Sequence, residues 1–102
     1  MDLQLAGKVG IVTGASRGIG RAIAQMLSDE GMRLALVARS RAQLEELSAS
    51  LAPESLVQAA DLRAPEVPAT VVAATLERFG RLDLLVNNAG ATKRGDFFQP
   101  LR

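Results

Sequence analysis

The strongest chemical signal in the sequence is a run near its start, Thr13-Gly14-Ala15-Ser16-Arg17-Gly18-Ile19-Gly20. Its glycines are spaced Gly-x-x-x-Gly-x-Gly, and each has a physical use where a strand turns into a helix. Gly14 permits a tight turn, Gly18 lets the backbone approach a pyrophosphate closely, and Gly20 lets the helix pack against the strand. Free N–H groups and the helix dipole at that N-terminus attract phosphate. The spacing differs from Gly-x-Gly-x-x-Gly. It is not a P-loop either, because no Gly-Lys-Ser/Thr follows. A turn needed only for strand–helix packing would also ask for glycine, so the surrounding elements decide between the two.

Those elements read as alternating strands and helices. Residues 9–13 are a nearly all-apolar, strand-length run that ends at Gly14. Ile19, Ala22, Ile23, Met26 and Leu27 then fall at the spacing of a helix with one buried face, and Gly31 follows as its C-cap. Residues 34–38 form a second apolar strand. Ser40 and Gln43 make a capping-box signature for a helix with Leu44, Leu47 and Leu51 on one face. Pro53 closes that helix, and residues 56–60 read as a third strand. Pro65 and Pro68 blur the start of the next helix, whose inner face is Val71, Val72, Thr75, Leu76 and Phe79 and which Gly80 ends. Residues 82–87 are the fourth strand. The order β-α-β-α-β-α-β, with strands apolar on both faces, predicts an α/β fold: a Rossmann-type parallel sheet with helices on both faces. Right-handed crossovers are expected throughout. A glycine turn at the first strand–helix junction of such a repeat has the context that phosphate binding needs.

Composition narrows the chemistry. The 102 residues contain no His, Cys, Tyr or Trp. Disulfides, zinc–thiolate sites, a cysteine nucleophile, a histidine base and a tyrosine acid/base are therefore excluded from these residues. Asp, Glu, Lys, Ser, Thr or a bound cofactor must carry any reaction. The length allows one domain. Twelve Lys+Arg against eleven Asp+Glu give a net charge of +1, which creates no field for nucleic acid or membrane. The first residues carry no targeting pattern, no apolar run nears the ~20 residues that span a bilayer, and no metal-ligand cluster is evident. A cytoplasmic location is expected.

The glycine turn together with Asn87-Asn88-Ala89-Gly90 closely resembles the short-chain dehydrogenase/reductase family, most of all the classical branch that includes 3-oxoacyl-carrier-protein reductases. The separation of the two motifs fits, as do Asp61-Leu62 after the third strand and Gly80-Arg81-Leu82-Asp83 before the fourth. The resemblance runs from Leu5 to about Phe98. It implies the strand order 3-2-1-4 and an oxidoreductase that transfers a hydride between nicotinamide C4 and a carbonyl or alcohol.

The second strand ends at Ala38-Arg39-Ser40, where an NAD-binding protein carries Asp or Glu for the ribose hydroxyls. Arg39 instead offers a planar, permanently charged fork suited to phosphate, and Arg17 offers a second positive charge on the same side. In the family, basic residues at these two places imply NADP. Taken singly, each is as readily a solvated surface arginine. Ser40 adds a hydroxyl besides its capping role, and Arg41 is a further candidate. The resemblance implies that Asp61 accepts a hydrogen bond from the adenine amino group while Leu62 supports the ring. By sequence alone, a helix-capping Asp fits Asp61 equally well. The resemblance also implies that Asn87 helps hold the central sheet and that Asn88, Ala89 and Gly90 line the adenosine ribose. The expected cofactor-binding set is Gly14, Ser16, Arg17, Gly18, Ile19, Gly20, Arg39, Ser40, Asp61, Leu62, Asn88, Ala89 and Gly90, with NADP as the cofactor.

The family's catalytic groups are a tyrosine acid/base, a lysine four residues later and a substrate-polarising serine, all beyond the Asn-Asn-Ala-Gly segment. Lys8 and Lys93 are the only lysines here and neither follows a tyrosine, so no catalytic residue carries over. Residues 1–102 thus read as the N-terminal part of one NADP-binding domain, with the catalytic C-terminal part absent and no turnover expected of the chain alone. The fourth strand would then present an unpaired apolar edge, and the chain would be marginal or self-associating. Family precedent adds a small-molecule carbonyl or alcohol substrate for the complete enzyme, and homo-oligomers. A non-catalytic nucleotide-binding or interaction module is the alternative. An S-adenosylmethionine methyltransferase is a third reading, which Arg39 opposes because an acid is wanted there.

Overall fold

The computed structural model describes residues 4–88 together with the backbone of residues 99 and 100. Strand β1 (Val9–Thr13) leads into helix α1 (Gly18–Asp29), then β2 (Arg33–Ala38), α2 (Arg41–Ser50), β3 (Ser55–Ala59), α3 (Val67–Phe79), β4 (Leu84–Val86) and β5 (Gln99–Pro100). One sheet has the order β3-β2-β1-β4-β5. The first four strands are parallel, with Ile11 aligned on Ala35 of β2 and Leu85 of β4. Centrally placed β1 is buried at all five residues, which is why an almost uninterrupted apolar run was required there.

The twofold alternation of the strands divides the core between the two sheet faces. On one face Val12, Leu34, Leu36 and Val86 pack with Ala24 and Leu27 of α1 and Leu44 and Leu47 of α2. On the other, Ile11, Ala35 and Val37 pack against Val71 of α3. Local signals place the helix ends as expected. Ser40 Oγ accepts a hydrogen bond from the Gln43 amide at 3.3 Å, and Gly80 ends α3 in the left-handed region with φ of 79°. Gly31, at φ of 93°, makes the turn just after the α1 cap at Glu30.

The buried face of α1 differs from the expected stripe. Gly20, Ala24, Leu27 and Ser28 face inward, whereas Ile19 and Met26 are 68% and 56% exposed. The close approach of Gly20 to the glycine turn sets the rotation of the helix, and the largest side chains follow. In α3 the inner face is Val71, Thr75 and Phe79, with Leu76 turned outward. The outer edge of β4 is also not left open. Leu84 and Leu85 align antiparallel with Pro100 and Gln99, because a strand edge of free backbone groups pairs with whatever segment reaches it. Among the described residues, no helix is long and apolar enough to cross a membrane.

Candidate functional site

The C-terminal ends of the four parallel strands open onto one cleft of about 890 Å³. This is where open α/β sheets bind ligands. The β1–α1 turn contributes Thr13, Gly14, Ser16, Arg17 and Gly18. The end of β2 contributes Ala38, Arg39 and Ser40, with Gln43 from α2. Ala60, Asp61, Leu62 and Arg63 follow β3, and Asn87 and Asn88 follow β4. Ile11, Leu85, Val71 and Val72 supply an apolar wall.

The glycine turn is shaped by two different constraints. Gly14 and Gly18 adopt φ of 64° and 61°, where L side chains are strained. Gly20 instead answers to contact: a Cβ there would lie 2.0 Å from the Gly14 carbonyl oxygen and 2.7 Å from Asn88 Nδ2. Helix α1 starts without a side-chain cap and without an acidic residue in its first turn. Its first N–H groups and positive dipole end therefore meet no anion from their own helix.

Thr13 joins this turn to the end of β4. Its buried hydroxyl accepts from the Asn88 amide at 2.7 Å, and Asn87 Oδ1 and the Val86 carbonyl lie 3.1 Å and 3.3 Å from it as acceptors. Asn88 Nδ2 donates to the Gly14 carbonyl at 3.4 Å. The carboxamide is thereby held over the glycine turn.

The cleft is electropositive. Arg17 and Arg39 line it, and among the described residues neither forms an ion pair. Asp61 is paired with Arg63, whose Nη2 donates to Oδ2 at 2.9 Å and whose Nε donates to Oδ1 at 3.1 Å. The Arg63 backbone amide adds a third bond to Oδ1 at 3.0 Å. The Arg63 side chain, then its backbone amide, hold the Asp61 carboxyl down to about 2, with a smaller contribution from the charge of Arg39. Asp61 is thus an ionised acceptor at neutral pH.

Of the expected site residues, Gly14, Ser16, Arg17, Gly18, Arg39, Ser40, Asp61, Leu62 and Asn88 come together around the cleft. Gly20 lies beneath the turn as packing, and exposed Ile19 is not part of the lining. Ala89 and Gly90 lie outside the described residues. Arg41 turns to Glu45 one helical turn on, at 3.5 Å, and does not line the cleft. Arg63 and Gln43 were missed. The signal for Arg63 was a long basic side chain two residues after Asp61, a spacing that lets the aspartate bind both its amide and its guanidinium. Nothing in the helical periodicity distinguished Gln43.

Residues 8–100 match the short chain dehydrogenase family. The sequence is 47% identical over 94 residues to a 1,6-dihydroxycyclohexa-2,4-diene-1-carboxylate dehydrogenase of Pseudomonas putida, covering 90% of this chain and 35% of the relative. It is 41% identical over 91 residues to a 3-oxoacyl-(acyl-carrier-protein) reductase of Vibrio cholerae, covering 89% of this chain and 37% of the relative. The chain therefore spans little more than a third of the length of either. Among solved structures, L-sorbose reductase of Gluconobacter frateurii, complexed with NADPH and L-sorbose, superposes with a TM-score of 0.83 at 38% identity. That match covers 94% of this chain and 40% of the reductase. An NAD+-bound xylitol dehydrogenase superposes with a TM-score of 0.80 at 36% identity, covering 84% and 34% of the two chains. A parallel sheet in the order 3-2-1-4, a glycine turn at its first strand–helix junction and a family match over residues 8–100 agree: the chain belongs to the short-chain dehydrogenase family.

Proposed function

We propose that the cleft is an NADP(H) cradle and that the protein is an NADP-dependent short-chain oxidoreductase. These 102 residues would be the N-terminal part of its nucleotide-binding domain. The observation that carries the reading is the pair Arg17 and Arg39, both lining the cleft and both without an ion-pair partner among the described residues. Arg39 stands at the end of β2, where selectivity for NAD would require a carboxylate. The fit is supported by the uncapped start of α1 and by the open space beside Gly18, where a Cβ would meet nothing within 4 Å.

In this reading the N–H groups of the turn hold the pyrophosphate, and Arg17 and Arg39 hold the 2′-phosphate. Ser40 can still donate its hydroxyl hydrogen, because Gln43 uses only its oxygen. Asp61 accepts the adenine amino group, Leu62 supports the ring, and Asn88 lies along the ribose. When bound, the cofactor supplies the hydride exchanged with a carbonyl or alcohol substrate. The chain has no Tyr, His or Cys, and in this reading its residues bind and orient the cofactor. No turnover is expected of the 102 residues alone. Titration calorimetry tests the reading: NADP+ should bind well above NAD+, and equal affinities would sink it.

A further inference from the structure

We propose that Arg63 is a positioning residue for cofactor selectivity: by clasping Asp61 it keeps that carboxylate off Arg39 and leaves the Arg39 guanidinium for the ribose 2′-phosphate. The inference rests on the reading of the cleft as an NADP(H) cradle.

The cleft lining holds three arginines, Arg17, Arg39 and Arg63, and a single carboxylate among the described residues, Asp61. A carboxylate near two guanidiniums pairs with the one that offers better geometry. Arg63 reaches both oxygens, with Nη2 on Oδ2 at 2.9 Å and Nε on Oδ1 at 3.1 Å, and its backbone amide binds Oδ1 at 3.0 Å. This fork-on-carboxylate arrangement is the stronger form of the pair. Its partners are two residues apart, so little chain entropy is lost in forming it. Arg39 is close enough for its charge to act on Asp61, yet makes no hydrogen bond or ion pair with it. The Arg63 side chain is 79% exposed, so the pair adds little to folding stability. Its consequence lies in the charge of the cleft.

Oδ1 already takes the Arg63 backbone amide and Nε, so the place left for the adenine amino group is the second lone pair of Oδ2, beside the bond from Arg63 Nη2. Without Arg63, the ionised carboxylate would attract Arg39, and a 2′-phosphate would have to displace that contact. NAD+ carries no such phosphate and would not meet this competition.

The test is the ratio of NADP+ to NAD+ affinity, measured by calorimetry in the wild type and in R63Q, R63K, D61N and the double variant D61N/R63Q. Adenine and nicotinamide are common to both ligands, so the ratio isolates the 2′-phosphate. It is also independent of the fraction of each preparation that is folded. R63Q should lower the ratio about two- to fivefold, the scale of an exposed ion pair. R63K should fall between, since an ammonium pairs without the fork. In the D61N background the R63Q change should have no further effect, because no carboxylate is left to restrain. An unchanged ratio in R63Q overturns the inference. So does an equal drop in the D61N background, which would mean that Arg63 meets the phosphate itself. A wild type without NADP+ preference overturns the cofactor reading and this inference with it. A preferring wild type with an unmoved R63Q ratio overturns this inference alone.

Discussion

The backbone amide of Asn88 donates to Thr13 Oγ1 at 2.7 Å, across 75 positions of sequence. This bond ties the end of β4 to the glycine turn after β1 and fixes the two walls between which a dinucleotide would lie. Thr13 is only 4% exposed, so water does not readily replace its hydroxyl. Thr13→Val should leave the Asn88 amide without this acceptor and lower stability by about 1–3 kcal/mol. Thr13→Ser should recover most of the loss. Urea unfolding of the three proteins checks this, and a Thr13→Val variant as stable as wild type would contradict it.

The glycines of the turn should not respond alike. Gly20→Ala places a Cβ 2.0 Å from the Gly14 carbonyl oxygen. The helix must move off the turn, at the ~1–3 kcal/mol or more that overpacking costs. Gly18→Ala meets nothing within 4 Å but must hold φ near 61°, a strain of roughly 1–2 kcal/mol. Gly20→Ala should therefore lose both stability and cofactor binding, while Gly18→Ala should stay folded. Thermal unfolding of the pair decides the order, and equal losses would contradict it.

Acid should loosen the opposite end of the sheet. Asp83 Oδ2 accepts the Val9 amide at 2.9 Å, and both Asp83 oxygens take bonds from the Arg81 guanidinium at 2.8 Å. The Arg81 side chain chiefly holds the Asp83 carboxyl below its ordinary 3.8. Because the folded value is the lower one, the ionised form favours folding. Its contribution is complete above the ordinary value and is lost as pH falls through the folded value. Asp61, held at about 2, acts in the same direction between its ordinary 3.8 and that value. Thermal midpoints should decline over this acid range, and Asp83→Asn should flatten part of the decline. Parallel profiles for wild type and Asp83→Asn would count against the assignment.

Charge reversal at the end of β2 should invert cofactor preference. Arg39→Asp replaces the proposed 2′-phosphate partner with a ribose acceptor. NADP+ affinity should fall about ten- to hundredfold, the size of a charge-assisted bond of ~1.5–3 kcal/mol, while NAD+ gains relative to it. Higher ionic strength should weaken NADP+ binding to the wild type more than NAD+ binding. Equal salt dependence would mean that the arginines do not meet the 2′-phosphate.

Particular residues show where the sequence was informative. The strand runs at β1 and β2 are apolar on both faces because helices cover both, and this made the parallel sheet readable. Ser40 with Gln43 marked the start of α2 correctly because the cap is local chemistry. The rotation of α1 was not readable from apolar spacing, which weights Ile19 and Met26 by size. The contact of Gly20 with Gly14, which has almost no side-chain signal, decides it. The antiparallel pairing of Gln99 and Pro100 on β4 was likewise hidden, since two residues show no periodicity. The Arg63 clasp leaves no periodic signal, because it depends on the turn after β3 that folds the Arg63 guanidinium back onto Asp61.

The most direct measurement is an amide chemical-shift titration of the isotopically labelled protein with NADP+. The largest changes should fall at Gly14, Ser16, Arg17, Gly18, Arg39, Asp61 and Asn88, where the four parallel strands end. The other ends of the strands, at Lys8, Arg33, Glu54 and Gly80, should be spared. Changes centred on those residues, or none at saturating cofactor, would contradict the assignment of the cleft as the cofactor cradle.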